Sequence, residues 1–280
     1  MVLPAVARLN GPGGPTVTTE IPGTSTEVVA EEFPFLGLEA AFDAVSRRHL
    51  ASTGLGPGWD CWEVGAGSGS VARWLADRVR PSGSVLATDV DTTGLMSGPR
   101  ANLRVVEHDL VWDPYPAEGF QCIHARLVLG NMSERQDLLA RLASALAPGG
   151  WLLVEDLDLV LPPCSEVATG DERLVHKVRS GFGDLLSDLR GDLGWARSLP
   201  PRLGDLRLED VGASDHLAPV TGGSVISSIE RANLSLVKEQ LIAFGVTTDD
   251  ELDRCLQLLD DPGLHFTMPV MVSAWGRRVR

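Results

Sequence analysis

Short runs of apolar positions, broken by glycine and charged residues, set the rhythm of this chain. Asp60-Cys61-Trp62-Glu63-Val64 is short, apolar and β-prone, whereas residues 71–79 repeat their apolar positions at helical spacing. Strand patterns recur over 84–88, 102–106 and 120–126, followed by a helix from about 134 to 146. Trp151-Leu152-Leu153-Val154 then opens a fifth strand that leads to Glu155 and Asp156. Ahead of the first strand, Ala41, Phe42, Val45 and Leu50 fall on one side of a helix over 39–50. Short connections between about 58 and 158 predict an α/β fold, a doubly wound parallel sheet with helices on both faces.

The rhythm changes after Leu161-Pro162-Pro163. A helix over 171–189 carries Leu174, Val178, Phe182 and Leu185 on one side, and 208–220 supplies a sixth strand. Residues 224–244 and 248–259 both read as helices, the second starting from Thr248 with Glu251 three residues on, a capping-box arrangement. The alternating, β-rich run 266–276 closes the pattern.

Glu63-Val64-Gly65-Ala66-Gly67-Ser68-Gly69-Ser70 lies between the first strand and its helix, where a glycine-rich turn lets a ligand approach the backbone. A dinucleotide fingerprint wants G-x-G-x-x-G, and this chain has Ser70 where the third glycine would fall. The observed E-x-G-x-G-x-G resembles motif I of the class I methyltransferases that use S-adenosylmethionine. Further motifs follow in order: Asp89 at the end of the second strand, His108-Asp109-Leu110 after the third, and the Pro148-Gly149-Gly150 turn before the fifth. Any one alone is also explained as an ordinary βα turn or a solvated strand-end carboxylate. Their succession in register with five strand patterns makes that account inadequate.

The resemblance implies a Rossmann-like seven-stranded sheet whose last strand, 266–276, inserts antiparallel. It implies that Glu63, Gly65, Gly67 and Gly69 form the cofactor loop, with the glycine backbone passing close to the methionine portion. Asp89, with Val90 beside it, would accept the ribose hydroxyls. Asp109 would accept the adenine amino group, with the Leu110 N–H on the ring. The carbonyl of Ala125, taken as lying just past strand four, would meet the amino group, and Arg126 sits at the same mouth or forms a surface salt bridge. Ala-Trp-Gly-Arg-Arg at 274–278, Gly58-Trp59, 72–76 and His124-Ala125-Arg126-Leu127 resemble one bacterial group of small-molecule (natural-product type) methyltransferases.

The expected organisation is a flexible tail over 1–30, a cofactor-binding core over 31–160, and a remainder over 161–280. That remainder completes the sheet and carries helical insertions at about 160–200 and 222–262. The insertions would form a lid over the acceptor or plain cover for the sheet with a dimer surface, so a homodimer stays open. The tail is rich in Gly, Pro and Thr, and could instead close over the ligand.

A net charge of −14, with 38 acidic against 24 basic residues, disfavours nucleic acid as a partner. The dense basic cluster, Arg277-Arg278-Val279-Arg280, reads as a solvated tail. No apolar run is long enough for a membrane span, and the first 30 residues lack the pattern of a secretory signal, so the expected location is cytoplasmic. The four cysteines (Cys61, Cys122, Cys164, Cys255) are scattered without metal-ligand spacing and read as reduced thiols, and no metal is expected. A small-molecule acceptor is the partner that remains.

Methyl transfer from a sulfonium is an in-line displacement that rests on positioning, with proton removal where the acceptor is an alcohol or phenol. Among His49, His108, His124, His176, His216 and His265, the one placed to face an acceptor is His176, on the first insertion helix. His108 and His124 read as structural, hydrogen-bonded histidines. At Leu129-Gly130-Asn131-Met132 similar enzymes commonly carry a histidine, and Asn131 cannot serve as a base at neutral pH. Asp156 and Asp158 lack a carboxylate partner after strand four, so magnesium dependence is not favoured. A cofactor-retaining enzyme that catalyses cyclisation or another non-methylating reaction is the alternative; an oxidoreductase and a non-catalytic binding relic are weaker ones.

Overall fold

The structure, a computed structural model, describes residues 35–96, 100–117, 119–161, 168–190 and 194–280. The tail expected over 1–30 and Cys164 lie outside the described residues. The chain opens with helix α1 (Phe35–Ser52), then β1 (Asp60–Val64), α2 (Ser70–Arg78), β2 (Ser84–Asp89) and β3 (Leu103–Glu107). There follow β4 (Phe120–Arg126), α3 (Arg135–Ser144), β5 (Leu146–Asp158), α4 (Gly170–Arg190), α5 (Leu199–Asp205) and β6 (Glu209–His216). The last elements are β7 (Pro219–Thr221), α6 (Val225–Leu236), α7 (Lys238–Ala243), α8 (Asp249–Leu259), β8 (His265–Thr267) and β9 (Val270–Arg277).

Seven strands form one sheet in the order β3-β2-β1-β4-β5-β9-β6. The first five are parallel, and β9 runs antiparallel between β5 and β6. Because side chains alternate across a strand, each central strand feeds two cores. Trp62, Val64, Ile123, Leu152 and Val154 pack on one face with Leu138, Leu139 and Leu142 of α3. Cys61, Cys122 and Leu153 face the other way, against Leu50 of α1 and Val71, Leu75 and Val79 of α2.

Three predicted elements are divided. The sixth strand expected over 208–220 separates into β6, in the main sheet, and β7, in a two-stranded ladder. The run 266–276 splits into β8, paired with β7 in a separate two-stranded ladder, and β9, in the main sheet. Pro269 stands at the split and has no N–H for a ladder bond. The helix expected over 224–244 breaks at Val237, where φ is −109° and ψ 19°. The break lets Leu234, Val237 and Leu241 all enter one core with Val178 and Phe182 of α4 and Leu252 and Leu259 of α8. Among the described residues, no helix is long and apolar enough to cross a membrane.

The capping box at α8 forms as the sequence indicates: Thr248 Oγ1 accepts from the Glu251 N–H at 3.2 Å, and Glu251 Oε2 accepts from the Thr248 N–H at 3.1 Å. Thr248→Ala is expected to cost about 0.5–2 kcal/mol in urea unfolding; an unchanged midpoint would show that this cap carries no stability.

Candidate active site at the carboxyl edge of the sheet

β1 ends in Glu63-Val64, and the loop to α2 follows. Gly65, Gly67 and Gly69 all have positive φ, at 62°, 55° and 85°. At Gly65 the requirement is also steric, since a Cβ would overlap Cγ2 of Val128 from the loop after β4. The Val128 side chain of one loop thus rests against the glycine of the other, at a distance that any larger residue would forbid.

Asp89, at the end of β2, holds this loop. Its Oδ2 accepts from the Gly67 N–H at 2.8 Å and its Oδ1 from the Asp91 N–H at 3.1 Å. Each oxygen keeps a lone pair for a further donor. Asp109 is fixed in the same manner: its Oδ1 caps the next turn, accepting from Val111 N–H at 2.8 Å and Trp112 N–H at 3.3 Å. Leu110 turns its side chain into the core. Val90 is 40% exposed beside Asp89. The mouth therefore presents two anchored carboxylates and a flexed glycine backbone. These acceptors fit a ligand rich in hydroxyl and amino groups, as S-adenosylmethionine is.

Beneath the loop lies a group of buried polar residues. In register across β1, β4, β5 and β9, Glu63 stands beside His124, Arg126 beside Glu155, and Glu155 beside Ser273. His124 is fully buried; its Nδ1 lies 2.8 Å from Glu63 Oε2 and its Nε2 3.2 Å from Glu155 Oε2. Burial disfavours the imidazolium, but the charges and hydrogen bonds of Glu63 and Glu155 outweigh it and push His124 up to about 10. Burial likewise opposes ionisation of Glu155, yet hydrogen bonds from His124, His49 and Ser273 hold it well below the usual carboxylate range. Ser46 of α1 donates to Glu155 Oε2 and accepts from Arg126 Nη1 at 2.9 Å. Arg126 Nη2 donates to Asp43 Oδ1 at 2.8 Å, and Ser70 Oγ donates to the same oxygen at 3.0 Å.

Several expected site residues stand differently from their sequence reading. Ala125 is inside β4, paired with Val64 on one side and Val154 on the other, not past the strand end. Arg126 is no surface ion pair but a largely buried link between β4 and α1. His108 is structural, as its sequence reading has it: it meets the rings of Trp62 and Tyr115 on the opposite face from His124, with Nε2 3.3 Å from the Pro114 carbonyl. Asp43, Ser46 and Ser273 were not foreseen. Their signal was faint: polar residues at helical spacing on α1, and a serine inside an apolar strand.

The loop after β4 is pinned from three sides. The Gly130 N–H donates to Asp156 Oδ2 at 3.0 Å, Asn131 Nδ2 donates to the Leu127 carbonyl at 2.9 Å, and the Leu127 N–H to the Glu155 carbonyl at 2.8 Å. Asp156 also accepts from Trp195 Nε1 at 3.2 Å, and Asp158 from Arg197, tying β5 to the segment before α5. Leu127 packs in one cluster with Leu157, Leu159, Phe42 and Met268. Beyond it, α4, α6 and the end of β5 enclose a cavity of about 40 Å³ lined by Leu157, Leu159, Phe182, Met268 and Asn233, whose buried Oδ1 has no partner. Arg179 closes its wall, paired with Glu230 at 2.6 Å. His176 is half-buried one turn before these α4 residues and does not line the cavity. Among the described residues, no cluster of three or more His, Cys, Asp or Glu is arranged for a metal.

Burial pushes Asp156 up to about 7, against the hydrogen bonds from Gly130 and Trp195. A raised carboxyl pKa stabilises the fold below the ordinary carboxylate range, a contribution lost as pH climbs through 7. Asp156→Asn keeps an acceptor and cannot ionise, so its stability relative to the parent should improve by about 1–4 kcal/mol between pH 4 and pH 8. A pH-independent difference in urea unfolding would contradict this.

A family model described as a methyltransferase domain matches residues 39–238. A curated relative, "Methyltransferase str2" of Strobilurus tenacellus, is 34% identical over 56% of this chain and 60% of its own length. A ubiquinone/menaquinone biosynthesis C-methyltransferase of Bordetella parapertussis is 30% identical over 38% of this chain and 44% of its own. The chain thus spans well under two thirds of these relatives. Among solved structures, the YcgJ protein of Bacillus subtilis superposes with a TM-score of 0.55 at 16% identity, covering 85% of this chain and 99% of that one. A Haemonchus contortus phosphoethanolamine N-methyltransferase 2, bound to phosphomonomethylethanolamine and S-adenosylhomocysteine, gives 0.54 at 14% identity, covering 85% of this chain and 53% of that one.

Proposed function

The chain belongs to the methyltransferase domain family, and on that premise we propose that it transfers the methyl group of S-adenosylmethionine to O, N or C of a small organic acceptor. The observation that carries this reading is the bond that the Gly67 N–H donates to Asp89 Oδ2, which joins the first motif to the second across two strands. S-adenosylmethionine supplies an electrophilic methyl on a sulfonium, and the residues named here bind and orient. Asp89 and Asp109 offer acceptors to the ribose hydroxyls and adenine amino group. Gly65, Gly67 and Gly69 admit the methionine portion against the backbone, above Glu63, while Val90, Leu110, Ala125 and Arg126 frame the same edge.

The cavity between α4, α6 and β5, at about 40 Å³, has room for one small apolar group of the acceptor, and Asn233 Oδ1 would accept from a hydroxyl or N–H there. Positioning of donor and acceptor can supply about 7–11 kcal/mol of the barrier. The relative named for C-methylation in ubiquinone/menaquinone biosynthesis supports a small-molecule acceptor of this kind.

Methyl-deuterated S-adenosylmethionine, incubated with the protein and a metabolite extract from a host lacking the gene, is expected to yield a labelled product by mass spectrometry. Conversion of a metabolite without label would contradict methyl transfer and favour the cyclase alternative. Asp89→Ala should weaken S-adenosylmethionine binding by about 1.5–3 kcal/mol in calorimetry, the scale of a charged-group hydrogen bond; unchanged affinity would remove Asp89 from the site.

A further inference from the structure

The buried bonds beneath the loop form a closed circuit. From Glu63 they run to His124, Glu155, Ser46, Arg126, Asp43 and Ser70. Glu63 lies two residues before Gly65, and Ser70 directly after Gly69. The backbone from 63 to 70 is the glycine loop itself, so the circuit joins the loop's two ends through β4, β5 and α1. We propose that His124 is a positioning residue for S-adenosylmethionine, a doubly hydrogen-bonded imidazolium that holds the Glu63 carboxylate and thereby keeps the glycine loop in its ligand-ready shape.

Position and cost support this role. His124 stands between Cys122 and Arg126 where the strand face toward α1 and α2 turns from the apolar packing of Cys61, Cys122 and Leu153 to polar residues. An apolar side chain there would serve stability as well, because a buried ionic cluster gains little over well-packed hydrophobic residues. What the cluster adds is direction: each bond fixes one donor on one acceptor, and the links reinforce one another. A loop whose glycines carry positive φ has many alternative shapes. Holding both ends lowers the ordering cost of binding.

The groups around His124 come from every neighbouring element. β1 provides Glu63 and β5 Glu155; α1 brings Ser46 and His49 and β9 brings Ser273 onto Glu155. Arg126 and Asp43 are one bond further out. With His124 raised, its stabilising contribution is complete below the ordinary histidine range and is lost only as pH rises through about 10. The circuit is therefore closed at neutral pH.

The test is calorimetric titration of the full chain with S-adenosylmethionine, comparing His124→Gln with the parent at pH 6, 7.5 and 9. The ratio of the two Kd values cancels titration of the ligand's own amino group. His124→Gln leaves Glu63 and Glu155 buried with no cation between them, so the ratio should reach at least tenfold at pH 7.5 and grow with pH. In a Glu63→Gln/His124→Gln background that growth should vanish, which loss of packing alone would not produce. Ser46→Ala opens the circuit elsewhere without removing a charge and should weaken binding at least threefold. Where His124→Gln fails to fold, ¹⁵N-histidine spectra of the parent decide the charge: one imidazole should keep both ring protons at pH 8.5, where ordinary histidines are neutral. Ratios within twofold for both single variants, or a neutral His124 ring at pH 7, would overturn the proposal. The proposal rests on the methyltransferase reading for its ligand. A parent protein that binds no S-adenosylmethionine would defeat that reading, whereas the ring spectra test the circuit regardless.

Discussion

One buried imidazole between two carboxylates sets the terms for the cofactor edge of this molecule. His124 reaches Glu63 on one side and Glu155 on the other, and through Glu155 the bonds continue to α1 and back to the start of α2. Such a cluster is tolerable in a core only when every charge is paired, and removal of one partner typically costs about 3–5 kcal/mol. It also fixes register. A slip of one residue in β4 would turn His124 and Arg126 to the opposite face and present Ile123 and Ala125 in their place. The circuit thus couples strand alignment to the shape of the loop.

The sheet separates two kinds of work by face and by edge. Its α3 side is a mainly apolar core, where Trp62, Ile123 and Leu152 meet α3, with Thr88, His108 and Asp156 as its buried polar residues toward the carboxyl edge. Its α1 and α2 side grades from apolar at Cys61 and Leu153 to ionic at Glu63, His124 and Glu155 as the strands approach their carboxyl ends. Helices α4, α6, α7 and α8 form their own core and meet the sheet chiefly at the end of β5 and the β7–β8 ladder. The link between that core and the loop is the segment after β4, held by Asp156 and by the contact of Val128 with Gly65.

Local features were readable from the sequence because local chemistry causes them. The strand-loop-helix around Gly65, the carboxylate closing β2 and the Thr248 cap each depend on a few adjacent residues. Pro269 was visible too, and its missing N–H explains why one predicted strand became β8 and β9. The break at Val237 was not visible, since it follows from which apolar residues meet α4 and α8. The circuit was hidden for the same reason: Asp43, Ser46, Glu155 and Ser273 come from three distant segments, and nothing near any of them indicates the others. His124 read correctly as a bonded structural histidine, yet its partners and charge needed the sheet register. Arg126 read as a residue of the cofactor mouth or a surface ion pair, and only the fold shows that α1 covers it.

A crystal structure of the chain with S-adenosylhomocysteine tests the account most directly. The ribose hydroxyls should lie within hydrogen-bond distance of Asp89 and the adenine amino group beside Asp109, with Glu63 still bonded to His124 and the Gly65–Gly69 backbone unchanged. A ligand bound away from Asp89, or a loop rebuilt with the Glu63–His124 bond broken, would contradict a site preformed by the buried circuit.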